Sequence, residues 1–292
     1  MIPNENDTKT DRNLNPVDSR REKRMIQQAI DFRDESDALY QLIEPIKTED
    51  FYRKSQFKNW TINDFISHLH IWNWAADQSL NDEAAFDDYL NVLITEMGAG
   101  STLRAFETKW LKGLEGRELL EEWRNFYLGM SERFEAADPK KRVKWAGPDM
   151  SARSSITARL METWAHGQGI YDQLGVERHN GDRIRNIAML GLNTFGWTFI
   201  NRKLDVPENK PYVKLTAPSG EIWEWNEAST TNSVEGDATE FCQVITQVRN
   251  IADTSLKMTG DVANQWMSIA QCFAGAPEEP PAPGSRFMAS ST

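Results

Sequence analysis

Cysteine is almost missing from this sequence. The two present, Cys242 and Cys272, exclude a disulfide framework and fit a cytoplasmic setting in which both thiols stay reduced. Long apolar runs are missing too. No stretch approaches the roughly 20 residues that a membrane-spanning helix needs, and the first 20 residues, MIPNENDTKTDRNLNPVDSR, lack the apolar core of a secretory signal. Positive charge is in deficit: 33 Lys+Arg stand against 44 Asp+Glu, a net charge of −11. That balance speaks against a general nucleic-acid partner, which requires a basic surface. No membrane partner is expected.

Tryptophan, by contrast, is abundant. Eleven in 292 residues, most of them in the helical part, suggest a core built from large aromatic plates. The length allows two domains with substantial cores.

The chain divides by composition and periodicity. Residues 1–20 are polar and read as a disordered N-terminus. From 21 to 204 the spacing is helical: one helix over 21–46, one starting at Ile62 behind the Thr61/Asp64 capping pair, one or two over 83–112 broken near Gly98–Gly100, and an amphipathic helix over 115–136. KKRVKWAGPDMSARSS reads as a connection, with Trp145 and Met150 near the mouth of any site beyond it. A helix over 151–175 follows, and a single one over 184–204. Residues 205–276 read as a small α+β domain: a hairpin over YVKLTAP and EIWEWNEA, a helix over 237–250, a short strand TSLKMTG, and a closing helix stopped by Gly275. Residues 277–292, PEEPPAPGSRFMASST, have the composition of a disordered tail. The fold class is therefore mainly α, with a small α+β domain behind the helices.

The chemistry concentrates on the helix over 151–175. Glu162 and His166 are four residues apart, about one turn, so both leave the same face. A carboxylate and an imidazole so placed can serve as two metal ligands or as a structural hydrogen-bonded pair. With Glu162 at zero on the wheel, His166 falls at about 40° and Arg159 at about 60°, among the small residues Ser155, Ala158 and Gly169. Ile156, Leu160, Trp164 and Tyr171 take the other side. Gly167 and Gly169 each cost a helix interior about 1 kcal/mol relative to Ala, a cost with no evident packing return in the sequence; an open cavity would use such small neighbours. On the helix from Ile62, His68 lies about 80° from the centre of the apolar face and His70 about 120°. His68 is the better placed to look inward, either as a ligand or as a half-buried histidine bonded to a neighbour.

W-T-x-x-D-x-x-x-H (Trp60, Thr61, Asp64, His68), followed some 90 residues later by E-x-x-x-H (Glu162, His166), resembles the DinB-like superfamily. Within it, the sequence is most similar to the mycothiol-dependent maleylpyruvate isomerase N-terminal domain family and to a metal-binding subgroup of it. The likeness spans about residues 20–275. It implies an up-down four-helix bundle holding a divalent metal, usually zinc, through His68, Glu162 and His166. It also implies a low-molecular-weight thiol (mycothiol, glutathione or bacillithiol) and an isomerase or transferase acting on a small unsaturated or electrophilic acid. Relatives use an arginine for the substrate carboxylate, and Arg159 and Arg249 are the candidates here. Three protein ligands and no nearby cysteine suit an open catalytic site better than a closed structural one. Metal-assisted hydrolysis or lyase chemistry with activated water, and a metal-dependent binding protein without turnover, are the alternatives.

Overall fold

The computed structural model describes residues 25–289; the expectation of disorder over 1–20 lies outside them. The first helix, α1, runs Gln27–Ile43; Glu44 keeps helical angles, and Pro45, with no N–H to continue the ladder, follows at once. A 3-10 turn at Thr48–Tyr52 leads to α2 (Ile62–Asn81), which opens on the expected capping box: the Asp64 N–H donates to the Thr61 hydroxyl, and Asp64 Oδ2 accepts from the Thr61 N–H. Helices α3 (Glu83–Gly98) and α4 (Leu103–Leu111) flank Gly98–Ser101, and α5 follows at Gly116–Ala136. Helix α6 (Ala152–Leu174) is capped by the Ser151 hydroxyl at its start and stopped by Gly175 in the left-handed region, φ 66°.

Helices α1, α5, α2 and α6 pack in a ring, each against the next. That is the four-helix bundle, with Phe32, Phe65, Leu69, Trp123, Tyr127, Leu160 and Trp164 buried inside it. The stretch read as a plain connection is instead a two-stranded hairpin, β1 (Arg142–Trp145) and β2 (Gly147–Ser151), pairing Arg142 with Ser151. Its alternation is too short to stand out beside Gly147-Pro148.

The single helix expected over 184–204 is two, α7 (Arg185–Asn193) and α8 (Phe195–Asn201). At the break the Thr194 hydroxyl donates to the carbonyls of Leu190 and Gly191, a side-chain bond that competes with helix continuation. Beyond it, β3 (Tyr212–Thr216) and β4 (Ile222–Trp225) form the expected hairpin. An unforeseen strand, β5 (Ser233–Asp237), runs parallel to β3, and β6 (Lys257–Thr259) pairs antiparallel on its far side, giving the order β4-β3-β5-β6. Strand β5 carries one large apolar residue, Val234, and its Gly236 admits the Leu256 side chain where a Cβ would sit 2.8 Å from it. Helix α9 (Ala238–Ile245) packs on this sheet and on α7.

The closing helix, α10 (Asp261–Ile269), stops well before Gly275. Ala270 is extended, and the Cys272 N–H donates to the Ile245 carbonyl at 3.0 Å, drawing the chain onto the end of α9. Cys272 is therefore off the helix. The tail is also different from expectation: residues 277–289 lie without helix or strand against both domains, tied by hydrogen bonds that composition cannot reveal. Among the described residues no helix is long and apolar enough to cross a membrane.

Candidate metal centre and its cleft

Along α6 the residues that are neither fully buried nor fully exposed include Ala158, Glu162, Ala165, His166 and Gly169, spaced 4, 3, 1 and 3 apart. This stripe faces a cleft of about 790 Å³ between the bundle and the second domain. Ile156, Leu160 and Trp164 are wholly buried on the other side, which anchors the stripe's direction. The wheel thus holds, with one correction. Gly169 does have a packing return: a Cβ there would sit 3.0 Å from Phe65 Cζ, so glycine is what lets that ring lie against α6.

Helix α2 supplies His68 from across the cleft. Nε2 of His68 and Nε2 of His166 lie 3.7 and 3.1 Å from the same Glu162 oxygen, Oε2, and one ligand atom from each residue can be chosen so that all three fall within 4.8 Å. Two nitrogens and a carboxylate oxygen converging this way suit a divalent cation of zinc type, and three ligands leave a position open. The sequence brought these three residues to attention; their donor atoms do meet.

A fourth residue was not foreseen. Glu107, on α4, is 2% exposed, and its Oε1 lies 2.8 Å from His68 Nδ1. A carboxylate on the far nitrogen of a histidine fixes the tautomer that turns the other nitrogen toward a metal. Its only sequence signal is an acidic residue beside buried Phe106 in FETKW, on a helix too short for a decisive wheel.

Aromatic rings hold both imidazoles. Trp60 stacks on His166, centroids 5.4 Å apart and planes 11° apart, and lies 5.3 Å from His68. Phe57 meets His166 edge-on at 5.4 Å. The loop that presents them is closed by Ser55 N–H to the Trp60 carbonyl and Trp60 N–H to the Phe57 carbonyl, with Lys58 and Asn59 in the left-handed region. Trp145 and Met150 line the same cleft from the hairpin, as expected of its mouth.

The charges are coupled. Burial drives the His68 ring toward its neutral form, but the hydrogen bond with Glu107 and the nearby Glu162 carboxylate outweigh it and raise its pKa to about 9. Burial and the nearby charge of His68 lower the pKa of His166, against the pull of Glu162. Burial works against the ionised form of Glu162, yet the two histidines and Arg159 hold its carboxyl well below the usual range.

Comparison with known proteins shows the family. The mycothiol maleylpyruvate isomerase N-terminal domain model matches residues 32–171, which contain all three donors and Glu107. Two uncharacterized proteins, one from each of two Mycobacterium tuberculosis strains, are each 35% identical to this chain over 247 residues, covering 85% of it and 95% of their own length. The chain belongs to the mycothiol maleylpyruvate isomerase N-terminal domain family. A crystal structure of a mycothiol-dependent maleylpyruvate isomerase is similar to it at a TM-score of 0.49 and 14% identity, covering 75% of this chain and 87% of that one.

Within this family member the two arginine candidates stand differently. Both line the cleft. Arg249 holds Asp172 with both ends of its fork, at 2.7 and 2.6 Å. Arg159 is 2% exposed; its Nε donates to Asn73 Oδ1 at 2.9 Å, and its Nη2 has no hydrogen-bond partner among the described residues. His70 faces away from the cleft: its buried ring packs edge-on against Trp110 and Phe126, and burial lowers its pKa to about 4. His179 is exposed and takes no part.

Proposed function

We propose that this protein is a metal-dependent enzyme of the thiol-dependent isomerase or transferase type, acting on a small unsaturated or electrophilic acid. The observation that carries the reading is the convergence of His68, Glu162 and His166 at the wall of a large cleft, with Glu107 behind His68. Family membership supports it, and maleylpyruvate isomerase-like chemistry with mycothiol, glutathione or bacillithiol is the form it takes. Zinc is the cation that best suits two imidazoles and a carboxylate.

A divalent cation held by these three residues would lower the pKa of a thiol brought to it, making thiolate near neutral pH. The protein's own groups do the rest. Glu107 holds the Nδ1 proton of His68, so that Nε2 is the nitrogen that would ligate a cation, giving up its proton to do so. Trp60, Phe57 and Phe65 keep bulk water from the back of both imidazoles. Arg159, a cleft-lining guanidinium whose buried Nη2 has no hydrogen-bond partner among the described residues, is the better candidate to hold a substrate carboxylate, because the fork of Arg249 is already taken up by Asp172. Cytoplasmic residence goes with this reading: both cysteines are free and buried.

The test is turnover of maleylpyruvate and other activated alkenoic acids by the zinc-loaded protein, with each of the three thiols in turn. Product formation that requires a thiol is expected. Turnover independent of every thiol would overturn the mechanism in favour of a metal-dependent hydrolase or lyase. Ligand binding with no turnover at all would make the protein a binding module.

A further inference from the structure

The C-terminal segment is the wall of the cleft that the sequence concealed. It leaves the second domain at Ala276. The Glu278 carbonyl accepts from Gln247 Nε2 at 2.8 Å, and Asn250 Nδ2 donates to the Pro281 carbonyl at 2.8 Å. It then crosses to the bundle. Lys58 Nζ lies 2.8 Å from Glu278, the Phe287 N–H donates to Gln56 Oε1 at 2.8 Å, and the Ala289 N–H donates to the Asp172 carbonyl at 2.7 Å. Glu278, Glu279 and Arg286 line the same cleft as the three donors.

The segment is tied rather than packed. Phe287 and Met288 are 55% and 49% exposed, so its largest apolar side chains are not what holds it. The ties that cross to the bundle, Lys58 to Glu278 and Phe287 to Gln56, lie at the exposed rim. Such ties are individually weak, and a segment held this way on one side opens there at low free energy.

Arg286 sits at the crossing. Its guanidinium lies 4.8 Å over the Phe57 ring, and Phe57 in turn touches His166 edge-on. Its Nη1 donates to the Gln247 carbonyl at 2.6 Å, and it forms no ion pair among the described residues. Arg249, its cationic neighbour, is bound to Asp172. Arg286 is thus a cation at the cleft, positioned by a ring and a carbonyl; Glu278 and Asp172 are near enough to be felt, but among the described residues no carboxylate is within ion-pair distance of it. A guanidinium in that state is a ready partner for a carboxylate.

We propose that residues 277–289 form an openable strap over the cleft, and that Arg286 is its ligand-facing group, closing on a carboxylate of the bound acid. The inference rests on the reading of the cleft as a site for a small acid. It adds a second cation, from a different part of the chain, to Arg159 on α6. An acid gripped by both would carry two anionic ends. The strap must open for such a ligand to enter, and the ligand's charge would hold it shut.

Cys272, 5% exposed and lining the cleft, is a natural reporter. In the full chain carrying Cys242→Ala it is the only thiol, and its reaction with N-ethylmaleimide at pH 8 requires neither metal nor turnover. Arg286→Gln, which loosens the strap at Phe57, is expected to speed labelling about fivefold, the scale of losing one cation–π contact. Lys58→Gln, which releases the tie to Glu278, should also speed it. Sodium maleate, the dicarboxylate probe, should slow labelling of the Arg286 protein, should slow the Arg286→Lys protein in part, and should leave the Arg286→Gln protein unaffected. Unchanged rates in both Arg286→Gln and Lys58→Gln, with circular dichroism showing folded protein, would overturn the strap. Equal protection of Arg286→Gln and its parent would overturn the role of Arg286. Maleate that protects neither protein would overturn that role and count against the acid reading, while faster labelling without maleate would still establish the strap.

Discussion

Nδ1 of His68 and Oε1 of Glu107 lie 2.8 Å apart, joining residues 39 positions distant in the chain. With one imidazole nitrogen engaged there, the other is directed at the Glu162 carboxylate. Glu107→Gln keeps the shape but removes the charge that orients and strengthens His68. Zinc affinity should fall about 10- to 100-fold, read by competition with a chromogenic chelator, while helix content stays unchanged. Unaltered affinity would remove Glu107 from the metal centre.

His166→Ala should strip the metal with little loss of helix. The histidine lies on the half-open stripe of α6, and the wholly buried Ile156, Leu160 and Trp164 continue to anchor that helix. Elemental analysis beside far-UV circular dichroism decides it; stoichiometric zinc retained by the variant would contradict the ligand assignment.

Away from the cleft, acid stability should report on Glu35. This carboxylate, 3% exposed, pairs with Arg178 and, at 2.6 Å, with Arg183. Burial raises its pKa, but the two guanidinium charges outweigh burial and hold it below the ordinary 4.5. A depressed carboxylate stabilises the fold above its unfolded pKa, and that contribution is lost as pH falls through the folded value. Glu35→Gln should cost about 3–5 kcal/mol near pH 7, because it leaves a buried guanidinium short of its partner. The difference from the wild type should shrink below about pH 4.5. Urea midpoints across pH test both; a pH-independent difference would contradict the linkage.

Two glycines on α6 should respond in opposite ways. At Gly167 an added Cβ meets Leu39 and Arg178 at 3.5 Å, ordinary contact, so Gly167→Ala should stabilise by up to ~1 kcal/mol through helix propensity. At Gly169 it would press on Phe65 at 3.0 Å, and Phe65 lies 5.8 Å from His166. Gly169→Val should cost about 1–3 kcal/mol as overpacking and weaken zinc binding as well. Thermal melts and chelator competition check the pair, and a neutral Gly169→Val would show that the ring gives way freely.

Much of this was legible in one dimension because the signals are local. Thr61 and Asp64 cap α2 three residues apart, and that cap sets the phase at which His68 faces inward. Glu162 and His166 share a face by helical geometry alone, and Ser151 and Gly175 mark the ends of their helix. The errors fall where a distant partner decides. Thr194 breaks a helix by bonding back to Leu190 and Gly191. Strand β5 exists because β3 and β6 flank it, not because SVEGD favours extension.

By itself, then, the sequence determined most of the helices and the pair Glu162/His166, since hydrophobic period and capping act within a few residues; the bundle followed from the resemblance to a known family, not from those signals. Only the tertiary structure decided that His68 and Glu162 converge, that Glu107 stands behind His68, that Arg249 is bound to Asp172 while Arg159 keeps a free N–H, and that a proline-rich tail closes the cleft. Each of those depends on groups brought together by packing from positions dozens to hundreds of residues apart. Hydrogen bonds and charge pairs of that range leave no periodic trace in composition.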